Sequence, residues 1–242
     1  MKKNKIEMTE TYTHIVTLEE PLSILAEAYR RVKVGLEYSE VDKKIQVIQV
    51  CSSLQGEGKT TTVLNLAATY AESKKKVIVL DLDFRRPKLH RAFYLPNEKG
   101  ITDVLTGNIT INDAIKHSDK LPFDLINRGT KTPYPTALLG SKELEKVMNQ
   151  LREMYDVILV DCPPILAVSD AVVISKYTDG CLFVVSQKLT EKTAAKEAIK
   201  LLKNNNVNLL GSIVTGISRK DKSGYGNSRY HYYYQDYSES NE

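Results

Sequence analysis

The stretch that most constrains this chain is SSLQGEGKTTT, residues 52–62. Before it runs IQVIQVCSS (45–53), apolar and β-branched. After it runs TTTVLNLAATYAE (60–72), with the composition of a helix. A glycine-containing turn between a strand and a helix leaves backbone N–H groups converging on one point, where an anion binds. Ser53, Gly58, Lys59 and Thr60 match the phosphate-binding template GxxxxGK[ST], with Ser53 in place of the first glycine. The expected cradle is Ser53, Gln55, Gly56, Glu57, Gly58, Lys59, Thr60 and Thr61. Gly56 and Gly58 let the backbone approach the ligand. Lys59 reaches the β- and γ-phosphates, and the Thr60 hydroxyl ligates Mg2+. The competing reading is a chance Gly-Lys-Thr turn, and the flanking strand and helix weigh against it.

Two further apolar runs end in carboxylates. KVIVLDLDF (76–84) carries Asp81 and Asp83, and YDVILVDCPP (155–164) carries Asp161. Near-continuous apolar runs of this length suit parallel strands covered on both faces. A two-residue alternation predicts that Asp81 and Asp83 share one side of the strand end. An aspartate after an apolar strand can also simply begin a turn. Three of them at two strand ends, together with a phosphate loop, point to a metal–nucleotide site.

Strands and helices alternate along the rest of the chain. FDLINRGT, DGCLFVVSQ and NLLGSIVTGI read as strands. ITDVLTGN, INDAIKH, SKELEKVMNQLREM (capped by Ser141) and TEKTAAKEAIKLLKNNN (opened by Thr190) read as helices. EPLSILAEAYRRVKVGLEYS (20–39) reads as an amphipathic helix with Pro21 in its first turn and Leu22, Leu25, Tyr29, Val32 and Leu36 on one stripe. The pattern predicts an α/β fold of P-loop NTPase type: a doubly wound, mainly parallel sheet flanked by helices. The expected divisions are an amino-terminal arm (1–19), a nucleotide-binding body (20–217) and a flexible tyrosine-rich tail (218–242).

Composition narrows the function. The net charge of +4 is mild, and no long basic run or aromatic–basic motif argues for nucleic acid. No apolar run approaches the roughly 20 residues of a membrane helix, and the amino terminus lacks the apolar core of a secretory signal. The expectation is a cytoplasmic protein with no direct membrane insertion. Cys51, Cys162 and Cys181 are scattered, which suits reduced, buried thiols better than a metal cluster.

The phosphate loop, VLDLDFRRP, VILVDCPP and NRGTKTPYPTALLGSKELEKV together resemble the bacterial tyrosine kinases of capsule and exopolysaccharide synthesis, over nearly the whole chain. By match, that resemblance implies a catalytic set of Lys59, Thr60, Asp81, Asp83 and Asp161. Thr60, Asp81 and Asp161 would hold Mg2+ beside ATP, and Asp83 would orient the tyrosine or take its proton. Arg85 and Arg86 could meet phosphate or pair with a neighbour. Thr215 stands where relatives often place an adenine-contacting Asn. The resemblance further implies a homo-oligomeric ring through Glu27, Arg30 and Lys33, lysine replacing the family's last arginine. It also implies a transmembrane adaptor that activates the chain and holds it peripherally at the inner face of the membrane.

Six of the fourteen tyrosines fall in the last eighteen residues: Tyr225, Tyr230, Tyr232, Tyr233, Tyr234 and Tyr237. With no Leu, Ile, Val or Phe, the segment cannot build a core. Beside this site the tyrosines read as phosphoacceptors; a solubilising tail or a stacking surface is the alternative. Rival readings of the whole chain are a nucleotide-switch ATPase of the partitioning or cell-division-site type and a nucleotide-gated scaffold that phosphorylates nothing. The first carries an extra lysine early in the loop, where this chain has Leu54.

Overall fold

Each apolar run identified above becomes a strand because only a sheet covered on both faces can bury every one of its side chains. The computed structural model describes residues 14–38 and 44–217. The chain runs α1 (Val16–Glu19), α2 (Ile24–Tyr38), β1 (Val47–Ser52), α3 (Lys59–Glu72), β2 (Val77–Asp81), α4 (Leu89–Ala92), α5 (Ile101–Leu105), α6 (Ile111–Ala114) and β3 (Asp124–Ile126). It continues through α7 (Pro135–Leu139), α8 (Lys142–Met154), β4 (Val157–Asp161), α9 (Asp170–Ile174), β5 (Gly180–Ser186), α10 (Lys192–Asn204) and β6 (Leu209–Thr215). The six strands form one sheet in the order β3-β2-β4-β1-β5-β6, and every pairing is parallel. All strands therefore end on the same edge.

Alternation along the strands feeds two cores. Ile48, Val50, Val77 and Val79 pack with Leu36, Val63, Leu64, Leu89 and Phe93 on one face. Val47, Cys51, Ile78 and Leu80 pack with Ile101, Leu144, Leu151, Ile174 and Leu202 on the other. Helix α8 shows the logic: Leu144, Val147, Met148 and Leu151 recur at helical spacing and are buried. Each such burial is worth roughly 1.5–3 kcal/mol. Ser141 caps it, accepting a hydrogen bond from Leu144 N–H (3.3 Å). The three cysteines are free and buried, as their scatter suggested.

Three local expectations are corrected. Pro21 does not open a helix: it lies in the turn between α1 and α2, and Ser23 caps α2 by accepting from Ala26 N–H (3.1 Å). Leu22 and Leu25 consequently sit before or at the edge of the packed stripe and are exposed, while Leu36 is buried. Thr190 does not cap α10, whose N-cap is Glu191; its hydroxyl is committed elsewhere. The packed body also begins earlier than residue 20. Ile15 and Val16 are buried, and Thr17 N–H donates to Asn65 Oδ1 (3.2 Å) on α3.

Candidate active site

At the carboxyl edge of the sheet, the turn from β1 to α3 closes around the point where their backbone groups converge. Gly58 stands at the N-cap of α3 with φ +99°, a left-handed conformation that disfavours a side chain. A Cβ there would lie 3.3 Å from the Thr215 side chain. Thr215 itself donates to the Glu57 carbonyl (2.8 Å), so the last strand buttresses the loop. Thr215, which stands where relatives often place Asn, thus braces the loop.

Glu57 explains how the loop tolerates Ser53. The glutamate turns inward, and only 1% of its surface is exposed. It accepts from Ser53 Oγ (2.8 and 3.1 Å), Leu54 N–H (2.8 Å) and Thr190 Oγ1 (2.5 Å). Burial opposes its charge, but the bonds from Thr190, Leu54 and Ser53 outweigh it and keep the carboxyl below its ordinary range. Ser53 and Glu57 thus shape the cradle from beneath and do not line it.

A cavity of about 730 Å³ opens over the loop. Gln55, Gly56, Gly58, Lys59, Thr60 and Thr61 line its floor; Asp83 and Asp161 face it from two strand ends. The Lys59 ammonium donates to Ser52 Oγ (2.8 Å) and the Leu54 carbonyl (3.3 Å), curled within the loop. Burial pulls its pKa down. The Thr60 hydroxyl donates to Asp161 Oδ2 (2.7 Å). Asp161 Oδ1 is buried with no hydrogen-bond partner among the described residues. Burial pushes the Asp161 carboxyl up to about 6.

Asp81 and Asp161 are partners in register on adjacent parallel strands. Asp81 is fully buried and off the cavity wall. Its oxygens accept from Asp83 N–H (3.2 Å), Lys88 N–H (3.1 Å) and Leu89 N–H (3.0 Å). Burial and then the Asp161 charge hold its pKa well above the carboxylate range. Strand β2 ends at Asp81, while Leu80, Leu82 and Phe84 keep to one core, so Asp81 and Asp83 both lie away from it. Asp83 lies in the following turn. Its Oδ1 accepts from Arg85 N–H (3.2 Å) and Arg86 N–H (2.8 Å), and its Oδ2 carries no hydrogen bond among the described residues.

The described residues hold no group of three His, Cys, Asp or Glu arranged as a ready metal cage. A Mg2+ that keeps waters and borrows phosphate oxygens needs none. The unpartnered Asp161 Oδ1 beside Thr60, in a site that raises carboxyl pKa values, fits such a hard divalent cation.

The two arginines part company. Arg85 pairs with buried Asp170 (2.7 and 3.3 Å) and bonds Thr136 Oγ1 (3.0 Å), which itself donates to Asp170. Arg86 meets Gln55 Oε1 (2.5 Å) and lines the cavity mouth with Lys88 and Arg91. Lys88, Arg91 and Asp170 were not singled out in the sequence; none stands in a motif, and the fold alone brings them here. In α2, Arg30 is bound within the chain to Glu72 (2.9 and 2.8 Å), the Pro21 carbonyl (2.9 Å) and Glu27 (3.5 Å). Lys33 meets Ser73 and Glu37. The tail tyrosines, Tyr225 to Tyr237, lie outside the described residues.

Comparison with known proteins fits this geometry. A family model described as AAA domain matches residues 45–207. Tyrosine-protein kinase YwqD of Bacillus subtilis (strain 168) is 35% identical over 213 residues, covering 88% of this chain and 90% of the relative. Tyrosine-protein kinase etk of Escherichia coli (strain K12) is 30% identical over 210 residues, covering 87% of this chain but 29% of the relative. The solved kinase domain of Escherichia coli tyrosine kinase ETK superposes with a TM-score of 0.83 at 28% identity, covering 92% of this chain and 87% of that one. The septum site-determining protein MinD of Pyrococcus horikoshii OT3, solved with Mg-ADP, matches at a TM-score of 0.59 and 24% identity, over 79% of this chain and 76% of that one. That last likeness shows the fold alone.

Proposed function

Because this chain belongs to the bacterial tyrosine-protein kinases, with a nucleotide-binding body of the AAA-domain type, we propose that it moves the terminal phosphoryl group of ATP onto tyrosines of its own carboxyl-terminal segment. The observation that carries the reading is the pairing of Thr60 with a buried Asp161 whose second oxygen has no partner, directly beside the phosphate loop. Thr60 and Asp161 would hold Mg2+, which neutralises charge building on the phosphate oxygens. Lys59 leaves its loop contacts to pair with the β- and γ-phosphates. Loop N–H groups and the α3 N-terminus hold the remaining phosphate oxygens. Asp83, with a free Oδ2 facing the cavity, accepts the phenol proton. Asp81 acts from behind: by tying down the N–H groups of Asp83, Lys88 and Leu89, it positions the turn that presents Asp83.

The relative of similar length covers the whole catalytic body, whereas the longer one carries more than twice as much chain beyond the matched part. No described helix is long and apolar enough to cross a membrane. Membership of the family supports a transmembrane adaptor that activates the kinase and keeps it at the inner face of the membrane, where it controls capsule or exopolysaccharide synthesis. Exposed Leu22, Ile24 and Leu25 beside Glu27 support self-association through α2. Arg30 would have to exchange Glu72 for a neighbour to take part, and Lys33 lacks the guanidinium fork.

The test is incubation with Mg·ATP, with and without the cytoplasmic segment of a candidate adaptor, and mapping of phosphate by mass spectrometry. Phosphotyrosine confined to Tyr225, Tyr230, Tyr232, Tyr233, Tyr234 and Tyr237, and lost in Lys59→Met, is the expected result. ATP hydrolysis without phosphotyrosine under both conditions would move the chain to the nucleotide-switch class.

A further inference from the structure

The cavity over the phosphate loop is lined by five cations and two carboxylates: Lys59, Arg85, Arg86, Lys88 and Arg91 against Asp83 and Asp161. Two of the cations are spoken for. Lys59 belongs to the loop, and Arg85 is bound to Asp170. The other three fall within six residues of the turn and helix that follow β2, and all are exposed. Among the described residues the Arg86 side chain bonds the neutral Gln55, and neither Lys88 nor Arg91 forms a salt bridge with a carboxylate. This rim stands on the turn and helix after Asp83, with Arg86 reaching Gln55 of the loop, and it offers positive charge at the cavity to an approaching acceptor.

The tail has the complementary pattern. Arg219, Lys220, Lys222 and Arg229 all precede the tyrosine run, with Asp221 as their single acidic neighbour. The acidic residues lie at its far end: Asp236 just before its last member, Tyr237, and Glu239 and Glu242 after it. Tyr237 has carboxylates on both sides, at positions −1 and +2, whereas Tyr234 has one, Asp236 at +2. Tyr225 and Tyr230 sit among the cations instead. Strand β6 delivers the chain to this same edge, Thr215 touching the loop itself. Twenty extended residues beyond Ile217 span at most roughly 65 Å, ample for Tyr237 to reach a site.

We infer that Arg86, Lys88 and Arg91 select the acceptor by the carboxylates beside it, so that phosphorylation starts at Tyr237 and spreads back toward Tyr225. The inference rests on the kinase reading above. In each transfer the phenol oxygen bonds to the γ-phosphorus while the bond from that phosphorus to the ADP oxygen breaks. ADP leaves with the electron pair, and the phenol proton passes to Asp83. Each phosphotyrosine adds roughly −1.5 to −2 charges. Phosphate on Tyr237 therefore adds to the single carboxylate, Asp236, beside Tyr234, and phosphate on Tyr234 gives Tyr233 and Tyr232 an acidic neighbour in turn. Tyr230 and Tyr225, beside Arg229 and Lys222, come last.

The test follows the full chain with its adaptor segment and Mg·ATP by time-resolved mass spectrometry. In the wild type, the first phosphate appears at Tyr237. Asp236→Asn with Glu239→Gln slows that first event about fivefold, the size expected of partly exposed ion pairs, and scrambles the order. Arg86→Ala, Lys88→Ala and Arg91→Ala together slow the wild-type tail by a similar factor yet add little to the neutralised tail. A charge swap, Arg91→Glu with Asp236→Lys, restores part of the rate. Initial phosphate at Tyr225 or Tyr230, or additive effects of rim and tail, would overturn the selection. A parallel titration with Mg·ADP separates the other occupant: an equal loss of nucleotide affinity in the rim variant would give these cations to the nucleotide. Complete absence of phosphotyrosine in the wild type would overturn the kinase reading and this inference with it.

Discussion

Asp161→Asn should stabilise the ligand-free protein while destroying its activity. In the folded chain burial raises the Asp161 carboxyl to about 6, against about 3.9 for an unfolded aspartate. Keeping the charge in the folded state at pH 7 therefore costs about 3 kcal/mol (2.1 units at 1.36 kcal/mol each). The asparagine carbonyl can still accept from Thr60, so that hydrogen bond survives. Its amide replaces the unpartnered Oδ1, which offsets part of the gain. The expected net stabilisation is about 2 kcal/mol, or roughly 4–8 °C in Tm for a chain of this size. Relief of Asp81, whose pKa the Asp161 charge also raises, acts in the same direction.

The pH dependence gives the sign. A carboxyl whose folded pKa lies above its unfolded value contributes most favourably below about pH 4 and loses that contribution as pH rises through about 6. The net advantage of Asp161→Asn should thus fall to about a third of its pH 7 value at pH 5. Urea unfolding of both proteins at pH 5 and 7, without ligand, measures it. With Mg·ADP the ranking should invert, because only the wild type gains binding energy. A variant that is less stable than wild type at pH 7, or a difference independent of pH between 5 and 7, would refute the reasoning.

Three further outcomes follow from the same geometry. Gly58→Ala forces an alanine to φ +99° against Thr215 and should lose about 1–3 kcal/mol together with most Mg·ADP affinity, read by thermal shift and by calorimetric titration. Glu57→Ala strands the Ser53 and Thr190 hydroxyls and the Leu54 N–H, costing about 2–3 kcal/mol in urea unfolding, and Glu57→Gln should fall between it and the wild type. Arg85→Ala leaves Asp170 buried without its cation and should cost about 2–3 kcal/mol, whereas Arg86→Ala, which breaks a surface contact with Gln55, should change stability by less than about 0.5 kcal/mol.

The elements were legible in the sequence wherever the physics is local. Runs such as VIVLD and VILVD admit only a strand covered on both faces, and the strand–loop–helix around Gly58 and Lys59 is set by glycine conformation and helix-end N–H groups within a dozen residues. The family resemblance rested on these same stretches. Pairings between distant segments had no local signature. Tertiary structure alone decided that Asp83 lines the cavity while Asp81 is closed off beneath it, its oxygens taken by the N–H groups of Asp83, Lys88 and Leu89. It also decided that Thr215 braces Glu57 across 158 positions and that Arg85 finds Asp170 across 85. Arg30 likewise belongs to Glu72 before any neighbour, because α2 packs on α3. Periodicity and turn chemistry act over a few residues; which side chains then meet depends on the order of parallel strands, and that order appears only when the sheet is assembled.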